Sequence, residues 1–177
     1  MRSRPPLTLS VDLKPEPRLR GFLAPLALAA LFTAVVAAIG GELTQLGSWY
    51  LALKKPWWQP PDYAFPIVWT TVFALSSIAM AFAWRDIPCA MRRGWMIAFF
   101  IATGLLNIAW SYLFFHLQRP DWALWEVGAL WVAVLLTVVV PLRDSKTASL
   151  LFLPYLVWVS IASYLTWTVV QLNEPFG

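Results

Sequence analysis

Phe65, Trp69 and Phe73 recur at every fourth residue, so on a helix they fall along one face. Tyr155, Trp158, Ala162 and Thr166 make a second such stripe, and Asn107, Ser111 and Phe114 a third. Large rings alternating with small residues suit a wall that stacks on a flat apolar molecule and orients it with few polar groups. The same stripes equally serve to pack helices or meet lipid, and spacing alone leaves both readings open. Covalent chemistry has less to work with. One histidine (His116) and one cysteine (Cys89) exclude His-pair metal motifs, four-cysteine metal sites and an intrachain disulfide framework. The sequence offers no nucleophile–base pair, phosphate-cradling glycine loop or paired catalytic carboxylates.

Positioning these stripes falls to long apolar stretches. Hydrophobic side chains make up 60% of the 177 residues, charged ones only 12%, and the mean hydropathy is +0.66. A soluble domain carries about 25% charge, so this composition is that of a membrane protein. Apolar runs over 21–43, 63–84, 94–117, 121–140 and 148–172 each approach the roughly 20 residues that cross a bilayer. None shows the alternation of a membrane strand. The expected fold class is therefore an all-α integral membrane protein, a bundle of five transmembrane helices forming one domain over 21–177. Asp121 is the expected N-cap of the fourth helix. Ala30, Ala34 and Ala38 form a small-residue row on the first, of the kind that lets another helix approach closely. Residues 1–20, basic and rich in proline, read as a disordered tail.

Between the first two runs lies an aromatic loop over 44–62, with Trp49, Tyr50, Lys54, Lys55, Trp57, Trp58, Pro60 and Pro61. Its prolines make it stiff, and its rings suit the membrane interface, so an ordered lid over the bundle is expected. The net charge of +4 does not point to nucleic acid, because the basic residues cluster at span ends. With five spans, ten Lys and Arg fall on the side of the amino terminus and three on the side of the loop. The positive-inside rule then makes the amino terminus cytoplasmic and turns the loop outward.

Trp49-Tyr50-x-x-Leu53-x-Lys55-Pro56-x-Trp58-x-Pro60-Pro61, continued by Phe65, Trp69 and Thr70, resembles the signature of the TspO/translocator protein family, the tryptophan-rich sensory proteins or peripheral-type benzodiazepine receptors. Asn107-x-x-Trp110-Ser111-x-x-Phe114-Phe115, Leu153-Pro154-Tyr155-Leu156-x-Trp158 and Leu172-Asn173 extend the resemblance from about residue 21 to the end. It implies a five-helix bundle, commonly dimeric, that binds porphyrins such as protoporphyrin IX or haem as ligands rather than as obligatory cofactors. It also implies sensing as the activity, with light-dependent porphyrin degradation and transport as alternatives, and favours a bacterial membrane over a mitochondrial outer one. Tyr50, Trp69, Asn107, Trp110, Trp158, Ala162 and Ser163 match positions that line the family's pocket. Trp58 and Pro61 of the lid, with Phe73 and Phe114 from the stripes, complete the candidate site.

Other polar residues carry two readings each. Asn107 either bridges helices or meets ligand. Lys54 and Lys55 either attract porphyrin propionates or reach lipid phosphates. Glu126 is an intramembrane carboxylate placed about one turn into its helix, and Glu42 either caps the pocket mouth or is solvated. His116 reads as interfacial and Cys89 as structural. Thr166 stands where the family usually has asparagine. Trp167 and Gln171 replace the Tyr and Lys or Arg of the sterol motif, which argues against sterol binding.

Overall fold

The computed structural model describes residues 20–176, so most of the expected amino-terminal tail lies outside the described residues. Five long helices carry the fold: α1 (Arg20–Leu43), α3 (Ala64–Asp86), α4 (Ala90–Ser111), α5 (Pro120–Val139) and α6 (Lys146–Asn173). A short helix, α2 (Ser48–Ala52), lies inside the aromatic loop. The five long helices run 20 to 28 residues. At 1.5 Å per residue each crosses about 30 Å of hydrocarbon with its backbone hydrogen bonds kept inside the helix. All five are long and apolar enough to span, and no strand occurs among the described residues.

The helices close into a ring in which α1 packs on α3 and α4, α3 on α6, α6 on α5, and α5 on α4. At the end away from the loop the ring is filled. Ala79, Ala81 and Ala83 of α3 are fully buried, and Met96, Phe100 and Phe152 pack beside them. Thr33 of α1 and Ser77 of α3 share a hydrogen bond of 2.9 Å, a polar clamp of the kind that joins helices in lipid. The connections at this end are tied as well. Arg92 donates to the Val140 carbonyl at 2.9 Å and pairs with Asp144. Ser145 caps α6 by accepting from the Ala148 amide at 3.3 Å, and donates to Asp86 at 2.6 Å.

One local expectation needs correcting, and another is placed on the outer face of the bundle. Asp121 is not the N-cap of α5: Arg119 holds that position and Pro120 opens the helix, where its fixed φ and missing N–H cost nothing. Asp121 sits in the first turn and pairs with Arg119. The Ala30, Ala34 and Ala38 row points out of the bundle, with all three exposed, while Ala29, Thr33, Val36 and Gly40 face inward. Close approach of α1 instead depends on Gly104 of α4. A Cβ there would run into the Phe32 ring and come within 2.9 Å of Val36 Cγ2. Gly104→Ala is therefore expected to destabilise the bundle by about 1–3 kcal/mol through overpacking. Thermal unfolding in detergent checks this, and an unchanged midpoint would refute the tight α1–α4 contact.

Candidate functional site

At the loop end the ring of helices is hollow. A cavity of about 430 Å³ lies there, walled by the C-terminal parts of α1, α4 and α6, the N-terminal parts of α3 and α5, and the loop above. That volume falls within the range of small-molecule sites. Its side walls are rings. Trp69 of α3 meets Tyr155 and Trp158 of α6 edge-on at 6.0 and 6.2 Å, and Phe65 meets Trp158 at 5.7 Å. On the far side Trp110 stacks on Phe114 at 5.1 Å. The indole N–H groups of Trp110 and Trp158 are buried without a hydrogen-bond partner among the described residues. Asn107 is 6% exposed, lines the cavity, and its amide also lacks a partner among the described residues. Of its two readings, helix bridging is thus not what the geometry shows.

The cap is held by long-range contacts. Asn173, at the last turn of α6, accepts from the Lys54 amide at 2.8 Å and donates to the Lys54 carbonyl at 2.9 Å. It reads the loop backbone as a neighbouring strand would. Trp58 stacks on Tyr164 at 5.1 Å, Trp49 meets Phe114 at 6.0 Å, and Tyr50 meets Phe115 at 5.7 Å. Tyr50 donates to Asp62 at 3.2 Å and accepts from Gln59 at 3.3 Å. The Lys55 ammonium lies 3.5 Å from the centre of the Tyr50 ring and lines the cavity, whereas Lys54 is exposed. Burial first, and then the nearby Asp62 carboxylate, push the Tyr50 hydroxyl up to about 12.

The wall on the α4 side rests on a feature that periodicity did not reveal. From Tyr112 to His116 the helix widens into a π turn, closed by the Leu117 amide on the Tyr112 carbonyl at 2.9 Å. The extra residue per turn lets the consecutive Phe114 and Phe115 both reach the cavity.

Eight of the candidate residues line this cavity: Tyr50, Trp69, Phe73, Asn107, Trp110, Phe114, Trp158 and Ala162. Three do not. Trp58 turns its ring outward onto Tyr164. Pro61 uses its carbonyl to start α3, accepting from Ala64 at 2.8 Å. Ser163 lies one step of about 100° from Ala162 on α6, so it faces an outer groove beside Gly128, Trp131 and Tyr164, and its hydroxyl returns to Val159 at 2.7 Å. The stripes missed Gln59, Asp62 and Phe115, which reach the cavity from loop and π-turn backbone that has no period.

The remaining polar groups sort cleanly. Thr166 lines the cavity, but its hydroxyl bonds back to the Ala162 carbonyl at 2.9 Å. It therefore offers the cavity less than an asparagine would. Glu126 lies outside the lining, with both carboxylate oxygens buried and unpartnered among the described residues. Glu42 is exposed, His116 is exposed and stacked on Tyr112, and Cys89 is exposed at the opposite end. No group of three His, Cys, Asp or Glu able to hold a metal occurs among the described residues.

The family model for the TspO/MBR family matches residues 27–172, which takes in all five long helices and the cap. The chain belongs to the TspO/MBR family. It is 39% identical over 157 residues to the tryptophan-rich protein TspO of Chlorobaculum tepidum, covering 84% of this chain and 95% of that one. To the tryptophan-rich sensory protein of Cereibacter sphaeroides it is 34% identical over 149 residues, covering 81% and 92%. To the translocator protein of Sus scrofa it is 28% identical over 159 residues, covering 86% and 94%. This TspO/MBR chain is thus a multi-pass membrane protein, as the composition indicated.

Two outcomes test the cap. Asn173→Ala removes two loop contacts, and opening of residues 44–62 should become easier by about 1–2 kcal/mol. Faster amide exchange confined to the loop would show it, and unchanged protection would refute the pin. Because the folded state favours neutral Tyr50, its contribution to stability is complete below the ordinary tyrosine value of about 10 and is lost as pH rises towards about 12. Tyrosinate absorbance should show a late-titrating group that Tyr50→Phe removes and Asp62→Asn shifts to lower pH. A group titrating at the ordinary value that vanishes in Tyr50→Phe would overturn the assignment.

Proposed function

We propose that this protein is a membrane sensor that binds porphyrins, protoporphyrin IX or haem, and related flat apolar molecules in the cavity beneath the cap. One observation carries the reading: Trp69, Trp110 and Trp158 wall a mostly apolar chamber whose few polar groups include Asn107, Lys55 and the unpartnered indole N–H groups of Trp110 and Trp158. Rings stack on the macrocycle, Asn107 and the unpaired indole N–H groups orient it, and Lys55 draws a propionate toward the mouth. Among the described residues, no histidine, cysteine or methionine lines the cavity. The residues therefore fit a metal-free porphyrin, or haem held by its ring and edge groups without an imidazole or sulfur ligand on the iron.

Occupancy would be reported through the cap, because ligand and loop share Tyr50, Lys55, Gln59 and Asp62. The concentration of Arg85, Arg92, Arg93, Arg143 and Lys146 at the far end supports a cytoplasmic amino terminus and an outward-facing cap. The exposed Ala30–Ala34–Ala38 row supports pairing of two copies in the bilayer.

Titration with protoporphyrin IX, followed by tryptophan fluorescence, should give saturable quenching at micromolar concentration. The double substitution Trp69→Ala with Trp158→Ala should weaken binding at least about tenfold, equivalent to about 1.4 kcal/mol. Lys55→Ala should cost about two- to fivefold for the free acid and nothing for the dimethyl ester, as befits a partly solvated ion pair. Affinity unchanged by the double substitution would exclude this cavity as the binding site.

A further inference from the structure

We propose that the cavity is loaded sideways from the bilayer, through a slot between the C-terminal third of α1 and the N-terminal third of α3; this rests on the ligand reading above. The first observation is a contrast within a single lining. On α4, α5 and α6 none of the residues facing the cavity is exposed, and Asn107, Phe114, Val127, Trp158 and Thr166 lie at 7% or below. On α1 and α3, Ala37, Gly41, Pro66 and Thr70 line the same cavity and are all exposed. Exposure coming from the hollow itself would appear on every wall. It appears on two neighbouring helices and on the loop residues next to their ends, Thr44, Leu46 and Asp62, so the opening lies on that side of the bundle.

The second observation is how α1 and α3 are joined. Phe22 meets Phe82 at 5.0 Å, and Thr33 bonds to Ser77 at 2.9 Å. Beyond that clamp, towards the cap, no hydrogen bond or ring pair links the two helices among the described residues. Towards the cap the two helices are therefore joined by no directional contact, which leaves them the pair with least to resist parting beside the cavity.

The rim of the slot matches a ligand dissolved in lipid. It is built from small residues, and a Cβ placed on Gly41 would meet nothing within 4 Å. Its two hydroxyls are turned back into their own helices, Thr44 onto the Gly40 carbonyl at 2.7 Å and Thr70 onto the Pro66 carbonyl at 2.8 Å. A passing molecule therefore meets methyl and methylene groups, with no polar group to desolvate. The route through the cap is closed by comparison, since Asn173, Tyr164, Phe114 and Phe115 hold the loop on the opposite side of the bundle. The ligand class is a planar, membrane-partitioned molecule that presents a thin edge.

The test uses reconstituted full-length protein with Cys89→Ser. Ala37→Cys and Thr70→Cys are joined by a short bismaleimide, and protoporphyrin IX is delivered from vesicles. Relative to the same double-cysteine protein before crosslinking, both association and dissociation should slow by about tenfold or more while the equilibrium affinity stays within about twofold, because a gate changes rates more than contacts. Joining Trp58→Cys to Tyr164→Cys, which locks the cap, should leave both rates unchanged. A second readout needs no porphyrin. Pyrene-maleimide supplied in the bilayer should label Ala162→Cys, and Gly41→Leu should slow that labelling while circular dichroism stays unchanged. Rates indifferent to the slot crosslink, labelling indifferent to Gly41→Leu, or slowing by the cap crosslink would each overturn the lateral route. Loss of porphyrin binding with labelling still gated would instead count against the ligand reading alone.

Discussion

Small side chains on α3 away from the loop, and indoles on α3, α4 and α6 near it, set the distance between those helices. In hydrocarbon, helix backbones gain little from hiding apolar surface, since lipid is equally apolar, and association rests on how closely side chains allow approach. Ala79, Ala81, Ala83 and Gly104 let α3 and α4 come close to their neighbours, and the far end is solid. Trp69, Trp110 and Trp158 at corresponding positions near the cap are too large and too flat to interdigitate in the same way, and the space they cannot fill is the cavity. The hollow is therefore a consequence of side-chain size graded along the helices, with no break in any of them.

Such a hollow would collapse or fill with lipid if its open end were loose. Asn173 holds the cap end by placing one amide against both backbone groups of Lys54, across a sequence separation of 119 residues. Ring contacts from Trp49, Tyr50 and Trp58 then fix the loop's face relative to α4 and α6. Pinning is one-sided. Every one of these contacts lies on the α4–α6 half, and α1 and α3 are linked directly to each other by hydrogen bond or ring pair only at the level of Thr33 and Ser77 and below, among the described residues.

The parts of this design that were legible in the sequence are those governed by a period. Span length and apolar composition gave five helices. The fourfold spacing of Phe65, Trp69 and Phe73, and of Tyr155, Trp158 and Ala162, gave the faces that meet across the bundle. Where a period ends, legibility ends. Gln59 and Asp62 sit on irregular backbone, Phe115 enters through a π turn that its neighbours do not announce, and Ser163 was assigned inward although it is one step round from Ala162. Helix α1 shows a further limit. Nearly all its positions are apolar or small, so no contrast selects a face, and the Ala30–Ala34–Ala38 row points outward while Thr33 and Gly40 point in.

Glu126 follows from the same physics in the opposite direction. A carboxyl among apolar helices normally shows its reason for being there through a partner, and this one has none among the described residues, although Thr103 and Tyr155 are the polar groups on its side of the bundle. It lies outside the cavity lining, so it adds no polar group to the wall that faces the hollow. The charge that a ligand meets is then the one at the mouth. Lys55 and Asp62, with the Tyr50–Gln59 pair, gather the cavity's charged side chains at the cap, while Asn107 and Ser111 face it from α4. Under the proposed reading, a molecule with an apolar body and one acidic edge would set its body against the indoles and its edge toward Lys55, with Asp62 beside it on the same rim.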